Sequence, residues 1–136
     1  MKQQFLSLAI LLTVSFCISK GYAQEERTLP IRVKLPKKKS KIKNVDDFVY
    51  LSFNLYKTLR RYDSLQIVGG EIPDELNALI VNNVKTETER LYNLAPDMIE
   101  ELTGKLSLKS VRGTKNLLTT KKALSYMYKT IQYYIK

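Results

Sequence analysis

The feature that most constrains the fold is an apolar stripe of helical period between residues 45 and 66. Its members alternate at intervals of three and four residues, which places them on one face of an α-helix. They are Val45, Phe48, Ser52, Leu55, Leu59 and Tyr62, with Leu51 at the edge. Asn44 is suited to cap the start, Asp47 to complete a capping box, and Gly69-Gly70 to end the helix. The stripe therefore predicts a long amphipathic helix whose apolar face must be covered.

The segments after Gly70 supply the apolar faces that would cover this helix. Pro73 is suited to open a second helix over residues 74–93, and Pro96 to open a shorter third helix over 97–107. A last helix is predicted over 115–135, after a frayed helix end and loop at 108–113. The sequence thus predicts an all-α domain over residues 44–136, an up-down bundle of three to four helices. A three-helix core with the short helix across one end is the alternative.

The first 23 residues have the parts of a secretory signal peptide. Lys2 supplies the positive end, and residues 5–18 form an apolar run of fourteen residues. Residues 21–23 place small side chains where signal cleavage requires them, so cleavage is expected near Ala23. A membrane-spanning helix needs about 20 apolar residues, so the run is short for a permanent span. We expect an exported protein, periplasmic or secreted, with a retained anchor as the alternative.

Residues 24–43 form a basic arm that contains two prolines and no long apolar periodicity. The arm carries a net charge of +6, whereas residues 44–136 carry only +2. We therefore expect an extended, flexible arm rather than a helix. Within it, Ile31, Val33 and Leu35 alternate with basic residues, which is the pattern of a short strand. The pattern indicates either strand addition to the sheet edge of another protein or chance alternation in a tether.

Two sets of side chains are candidate binding residues for an anionic partner. The first, at the end of the arm, is Lys37, Lys38, Lys39, Lys41 and Lys43. The second, on the predicted outer face of the last helix, is Lys115, Lys122, Tyr126, Lys129, Tyr133 and Lys136. Clustered lysines attract anionic lipid or polymer, and rings beside them can stack on sugars or bases. The alternative is that both sets are solvated surface that keeps a small bundle soluble.

The residue types that are missing exclude several classes of catalysis. The chain has no histidine, and its one cysteine, Cys17, lies in the signal segment. A Ser-His-Asp triad, a Cys-His pair and a His- or Cys-ligated zinc site are therefore excluded for the mature chain. We expect no metal and no cofactor. Carboxylate chemistry remains, and Glu87, on the apolar stripe of the second helix, forms with Glu89 the candidate pair of a small glycan hydrolase.

Together these features predict a non-enzymatic helical-bundle protein that binds another macromolecule in the cell envelope or outside the cell. The expected partner is an envelope or secreted protein, and an accessory part of an envelope secretion or transfer assembly would fit. One alternative is direct binding of an anionic polymer or membrane surface through the arm and the Lys/Tyr helix face. A glycan hydrolase is the second alternative. Nucleic acid is not the expected partner, and self-association remains open.

Overall fold

In a computed structural model of the chain, the structure describes residues 27–135, which form a bundle of three helices. Helix α1 is Lys43–Ile67. Helix α2 is one continuous stretch made of Asp74–Leu79, the π-helical turn Ile80–Val84 and Lys85–Leu102. Helix α3 is Leu108–Tyr134 and packs against both α1 and α2. The all-α prediction is confirmed for this part of the chain, while the predicted signal segment, residues 24–26 and Lys136 lie outside the described residues.

The buried face of α1 is broader than the predicted stripe. Val49, Phe53 and Tyr56 are buried in addition to most of the predicted residues. Leu55 is only partly buried, and Leu51 is exposed. The face is broad because α2, α3 and the arm all contact α1, so side chains on both flanks of the stripe leave water.

The predicted cap of α1 is wrong, because the helix begins at Lys43 and Asn44 is an exposed residue inside it. The helix start is stabilised instead by Asp46, which accepts hydrogen bonds from Ser40 N (2.9 Å), Ser40 Oγ (2.7 Å) and Lys41 N (3.0 Å). Burial raises the pKa of Asp46, but these hydrogen bonds outweigh it and leave the pKa lowered. The charged carboxylate therefore fixes the turn that joins the arm to α1.

The two predicted helices over 74–93 and 97–107 are one helix, and the predicted break at Pro96 is wrong. Proline removes one backbone hydrogen bond of a helix and crowds the preceding turn. Here buried residues on both sides of it, Leu91, Ala95 and Leu102, anchor the helix to the core. Tertiary packing of the apolar face therefore outweighs the local cost of the proline. The helix ends at Leu102, and Gly104 follows with a φ of +88°.

The π-helical turn Ile80–Val84 changes which residues of α2 face the core. A π-turn holds more residues than an α-turn, so the apolar side chains can recur at intervals of four. Ile80, Val84 and Thr88 follow that spacing and are fully buried. Glu87, which an uninterrupted α-helix would direct inward, is half-exposed instead. The prediction that Glu87 lies on the buried stripe is therefore wrong.

Residues 108–113, predicted as a frayed end and loop, are the first turns of α3. Ser107 caps this helix, because its Oγ accepts a hydrogen bond from Ser110 N (3.2 Å). Gly113 is buried where α3 approaches the end of α2, and a Cβ built on it would lie 2.9 Å from Leu102 Cδ1. Glycine therefore lets α3 lie close to α2 at this point, and a larger residue would require the Leu102 side chain to shift.

Candidate anion-binding groove

The arm lies along α1 and α3 from Arg27 to Ser40. Val33 N donates to Tyr56 Oη (2.9 Å), and Arg60 donates to the carbonyl oxygen of Pro30 (2.9 Å). Asn116 Nδ2 donates to the carbonyl oxygen of Lys38 (2.8 Å). The sequence predicted an extended arm, and these contacts hold the described part of it against the bundle. Flexibility of the arm stays a prediction.

No β-strand occurs among residues 27–135, and the alternating pattern in the arm does not produce one apolar row. Val33 is half-buried and packs against the core. Ile31 is 95% exposed and Leu35 is 48% exposed. The amide of Val33, which strand addition would require, already donates to Tyr56. Strand addition by Ile31, Val33 and Leu35 therefore gains no support from the arrangement of the arm.

The start of the described arm is held by an ion pair between Arg27 and Asp63 of α1. Arg27 Nε lies 2.8 Å from Asp63 Oδ1, and Arg27 Nη2 lies 3.1 Å from Oδ2. The same Nη2 donates to Thr130 Oγ1 of α3 at 2.7 Å. Asp63 is completely buried, so Arg27 supplies the positive charge that its burial requires. The pair fixes the arm to both helices at once.

Two tyrosines of α3 complete the surroundings of this carboxylate. Tyr126 Oη donates to Asp63 Oδ2, and Tyr134 Oη donates to Oδ1 at 2.7 Å. Burial raises the pKa of Asp63, but the hydrogen bonds from Arg27 and the two tyrosines outweigh it and leave the pKa lowered. Burial and donation to Asp63 raise the pKa of both phenols well above the usual range. At neutral pH the carboxylate is charged and both phenols are protonated.

Further along the arm, a groove opens between residues 34–38 and the first half of α3. Its basic residues are Lys34, Lys37, Lys38, Arg112 and Lys115. Among the described residues, no carboxylate lines it. We call this feature the basic groove. The bond from Asn116 to the Lys38 carbonyl holds the arm beside α3, so it brings together charges that are far apart in sequence.

A second groove lies on the other side of α3, against the turn after α2. Lys105 and Lys122 line it, and Lys115 borders both grooves. Between the grooves runs a stripe of α3 at helical spacing, in which apolar and basic residues mix. The stripe is Leu108, Val111, Lys115, Leu118 and Lys122. All five residues are exposed, and we call them the exposed stripe.

The charges of the chain are divided between these elements. Residues 46–101, which hold most of α1 and all but the last residue of α2, contain eleven carboxylates and carry a net charge of −6. Residues 28–45 and 102–136 contain no Asp or Glu. Because the arm packs beside α3, the carboxylate-free segments lie next to each other in the bundle. The result is a basic surface with few competing negative charges, as an anion-binding site requires.

The structure brings together part of each predicted set of binding residues. Lys37 and Lys38 of the arm meet Lys115 of α3 in the basic groove, and Lys122 lines the adjoining groove. The other predicted lysines lie away from these two grooves: Lys39 near Asp46, Lys41 in the turn before α1, Lys43 at the start of α1 and Lys129 on α3.

The predicted Lys/Tyr face of the last helix is only partly present. Tyr126 does not face outward, because its hydroxyl donates to Asp63 and its ring packs edge-on against Tyr56. Tyr133 is half-exposed, but its ring contacts the Arg27 guanidinium, 4.8 Å from the ring centroid. The prediction of two outward tyrosines beside the lysines is therefore wrong for Tyr126.

Sequence reasoning missed the residues that hold the arm and those that complete the groove. Asp63 follows Val45, Val49, Ser52, Tyr56 and Leu59 at intervals of three and four, so it lies on the buried face. A carboxylate on the buried face indicates that a cation must lie beside it, but no sequence pattern identifies Arg27 as that cation. Lys34, Arg112 and Lys105 complete the two grooves and were not among the predicted binding residues. Their segments were assigned to a strand-like arm, to a loop and to the short third helix.

The candidate carboxylate chemistry gains no support from Glu87. Its carboxylate accepts hydrogen bonds from Arg90 of the next turn, with Oε2 and Nη2 2.8 Å apart. This hydrogen bond, in a largely solvated site, lowers the pKa of Glu87. A general acid of a glycosidase requires a raised pKa, which is the opposite direction.

The described residues form an all-helical bundle with a basic surface. Comparison with known proteins found no matching family model, no similar curated protein and no similar solved structure. Among the described residues, no helix is both long and apolar enough to cross a membrane. The same residues contain no cluster of three or more acidic side chains placed to hold a metal ion.

Proposed function

We propose that this chain is an exported, non-enzymatic helical-bundle protein whose basic groove binds an anionic surface in the cell envelope or outside the cell. The observation that carries the proposal is the meeting of Lys37 and Lys38 with Arg112 and Lys115 in a groove that no described carboxylate lines. Like charges held together in this way repel one another and are stabilised by an anion that bridges them. An acidic face of an envelope protein and an anionic membrane are both surfaces of this kind.

The export part of the proposal rests on the signal-like features of residues 1–23. Mass spectrometry of the protein recovered from the producing cells tests it directly. We expect a mature chain that begins at Gln24 and is found in the envelope fraction or the medium. An intact chain recovered from the cytosol would contradict export.

The groove is tested by the salt dependence of binding to immobilised heparin, used as a model polyanion. Removing two cations that contact the polymer should reduce the slope of log affinity against log salt by about two. The groove variant is Lys37→Gln with Lys115→Gln. The control is Lys57→Gln with Arg61→Gln, which removes the same charge from exposed positions of α1.

We expect the slope of log affinity against log salt to fall by most of this amount in the groove variant. In the control, the slope should stay close to that of the unchanged protein. An equal loss in both variants would mean that net charge alone attracts the polymer, and would contradict a defined groove. No retention of the unchanged protein at low salt would contradict the proposal altogether.

A further inference from the structure

The exposed stripe contains large apolar side chains that the bundle leaves uncovered. Leu108 is 71% exposed, Val111 55% and Leu118 49%. Leu106, in the turn just before α3, is 95% exposed. Single exposed leucines are ordinary on a protein surface, but here three exposed apolar residues lie in the first half of α3 and a fourth lies two residues before the helix begins. A group of this kind marks a surface that meets another apolar phase.

Cations surround these apolar residues on all the neighbouring segments. On α3, the cations Lys109, Arg112 and Lys115 alternate with them. Lys105 lies in the preceding turn, and Lys34, Lys37 and Lys38 lie on the arm. Apolar side chains bordered by Lys and Arg are typical of a helix at the interface of an anionic membrane. There the leucines enter the headgroup region and the ammonium groups meet lipid phosphates.

The shape of the surface favours a membrane over a polymer or a peptide. Val111, Lys115 and Thr119 border both grooves, so the stripe between them is a ridge rather than the floor of a cleft. A helical peptide partner would need an apolar cleft to receive its own apolar face. A soluble polyanion would contact the lysines but would leave Leu106 and Leu108 exposed to water.

We propose that the exposed stripe, together with Leu106 in the turn before it, docks this protein on an anionic lipid bilayer, with Leu106 and Leu108 inserted at the interface and the lysines of the two grooves on lipid phosphates. This inference rests on the proposed anion-binding function and specifies the surface that is bound. The lysines supply long-range attraction that salt weakens, and the leucines supply short-range attraction that salt does not weaken. Both contributions are needed for stable attachment.

The test is flotation of the mature protein, purified as the cell processes it, with phosphatidylcholine vesicles that contain about 30% phosphatidylglycerol, an anionic fraction sufficient to attract polybasic surfaces. The test variant is Leu106→Ser with Leu108→Ser. The matched control is Val68→Ser with Val81→Ser, which changes two exposed apolar residues outside α3. Circular dichroism verifies that each variant keeps the helical content of the unchanged protein.

We expect the unchanged protein and the control to bind these vesicles. We expect the test variant to bind at least tenfold more weakly, because it lacks the two leucine side chains whose burial at the interface stabilises attachment. Vesicles of phosphatidylcholine alone should bind all three proteins only weakly. Equal binding of the test variant and the control would overturn the insertion. Retention on heparin without binding to vesicles would overturn the membrane proposal and leave the anion-binding function standing. Failure of both would overturn both.

Discussion

Two ion pairs in this molecule have the same closest distance and very different surroundings. Arg27 and Asp63 approach to 2.8 Å, and so do Arg90 and Glu87. Asp63 is completely buried and lies 36 residues from its partner, whereas Glu87 is half-exposed and lies three residues from its partner. The first pair joins the arm to the bundle, and the second joins two neighbouring turns of one helix.

The difference shows that distance alone does not measure what an ion pair contributes. A buried carboxylate that loses its partner keeps the full cost of its desolvation, so breaking the pair is expensive. An exposed carboxylate that loses its partner is solvated by water, so breaking the pair costs little. The buried pair therefore fixes the start of the described arm, and the exposed pair is a local supplement to a helix that packing already stabilises.

The largest effect is expected from Asp63→Asn. The amide keeps the shape of the carboxylate but cannot neutralise Arg27, and it accepts fewer hydrogen bonds from Tyr126 and Tyr134. We expect a loss of about 3 kcal/mol in the free energy of unfolding, at the lower end for a buried pair because Arg27 is partly exposed. Urea unfolding monitored by circular dichroism measures it. Asp47→Asn, an exposed carboxylate of the same helix, is the control and should change stability by less than about 0.5 kcal/mol.

The same pair of proteins, Asp63→Asn and the unchanged chain, should converge at low pH. The pKa of Asp63 is lowered in the folded state, so its contribution is fully present above the pKa of the unfolded state, about 3.9. The contribution is lost as the pH falls below that value toward the folded-state pKa. A stability difference that stayed constant from pH 6 to pH 2 would mean that the pKa of Asp63 is the same in the folded and unfolded states, and would contradict the lowered pKa.

The second largest effect is expected in alkali and comes from Tyr126 and Tyr134. Their raised pKa values mean that the unfolded chain loses these protons near pH 10 while the folded chain keeps them. The stability that these two protons contribute is therefore present below about pH 10 and falls above it, by about 2 kcal/mol between pH 10 and 11 for the two groups together. The measurement is the unfolding free energy across this range.

A double variant, Tyr126→Phe with Tyr134→Phe, should start from lower stability and show a much shallower alkaline decrease. Tyr50→Phe is the matched control, since Tyr50 is exposed, and it should keep the decrease of the unchanged protein. An identical alkaline slope in all three proteins would contradict the donation of both hydroxyls to Asp63.

An intermediate effect is expected from Arg27→Lys, which keeps the positive charge but removes the guanidinium group that donates to both oxygens of Asp63. Lysine cannot make two parallel bonds to Asp63 and donate to Thr130 at the same time. We expect a loss of about 1 kcal/mol in the free energy of unfolding, smaller than for Asp63→Asn because the buried charge stays neutralised. Protection of the Val33 amide from hydrogen exchange should fall as the arm loosens. The exposed Arg61→Lys is the control, and a loss as large as that of Asp63→Asn would mean that geometry rather than charge dominates.

The two ion pairs also separate what the sequence could predict from what it could not. Helical periodicity predicts α1 and most of α3, because burial of an apolar stripe is a property of residues close in sequence. The partner of Asp63 lies 36 residues away in a segment with no periodicity, so no local pattern identifies it. The inward position assigned to Glu87 failed because one π-turn rotates the following residues, and a stripe read at 3.6 residues per turn does not contain that rotation.

For the basic groove, the sequence predicted some of the residues but not that they lie together, because long-range contacts bring them together. Lysine runs in the arm and on the last helix are visible in the sequence, and both appear among the residues that line the groove. The two sets of lysines meet because the arm lies along α3, where the Asn116 side chain donates to the carbonyl oxygen of Lys38, a long-range contact. Residues 108–113 lack a clear apolar period, yet they are helical, and Gly113 among them is buried where α3 approaches Leu102.

The smallest effect is expected from Glu87→Gln, which removes the exposed pair. An exposed pair three residues apart on one helix stabilises by about 0.3 kcal/mol, which corresponds to a decrease of about 1–2 °C in Tm for a domain of this size. The effect should shrink further in high salt, because the pair is solvated. The control is Glu89→Gln, which changes a neighbouring carboxylate that belongs to neither of the two described ion pairs. A loss above about 1 kcal/mol for Glu87→Gln alone would contradict the contrast with Asp63, since the exposed pair would then contribute as a buried pair does.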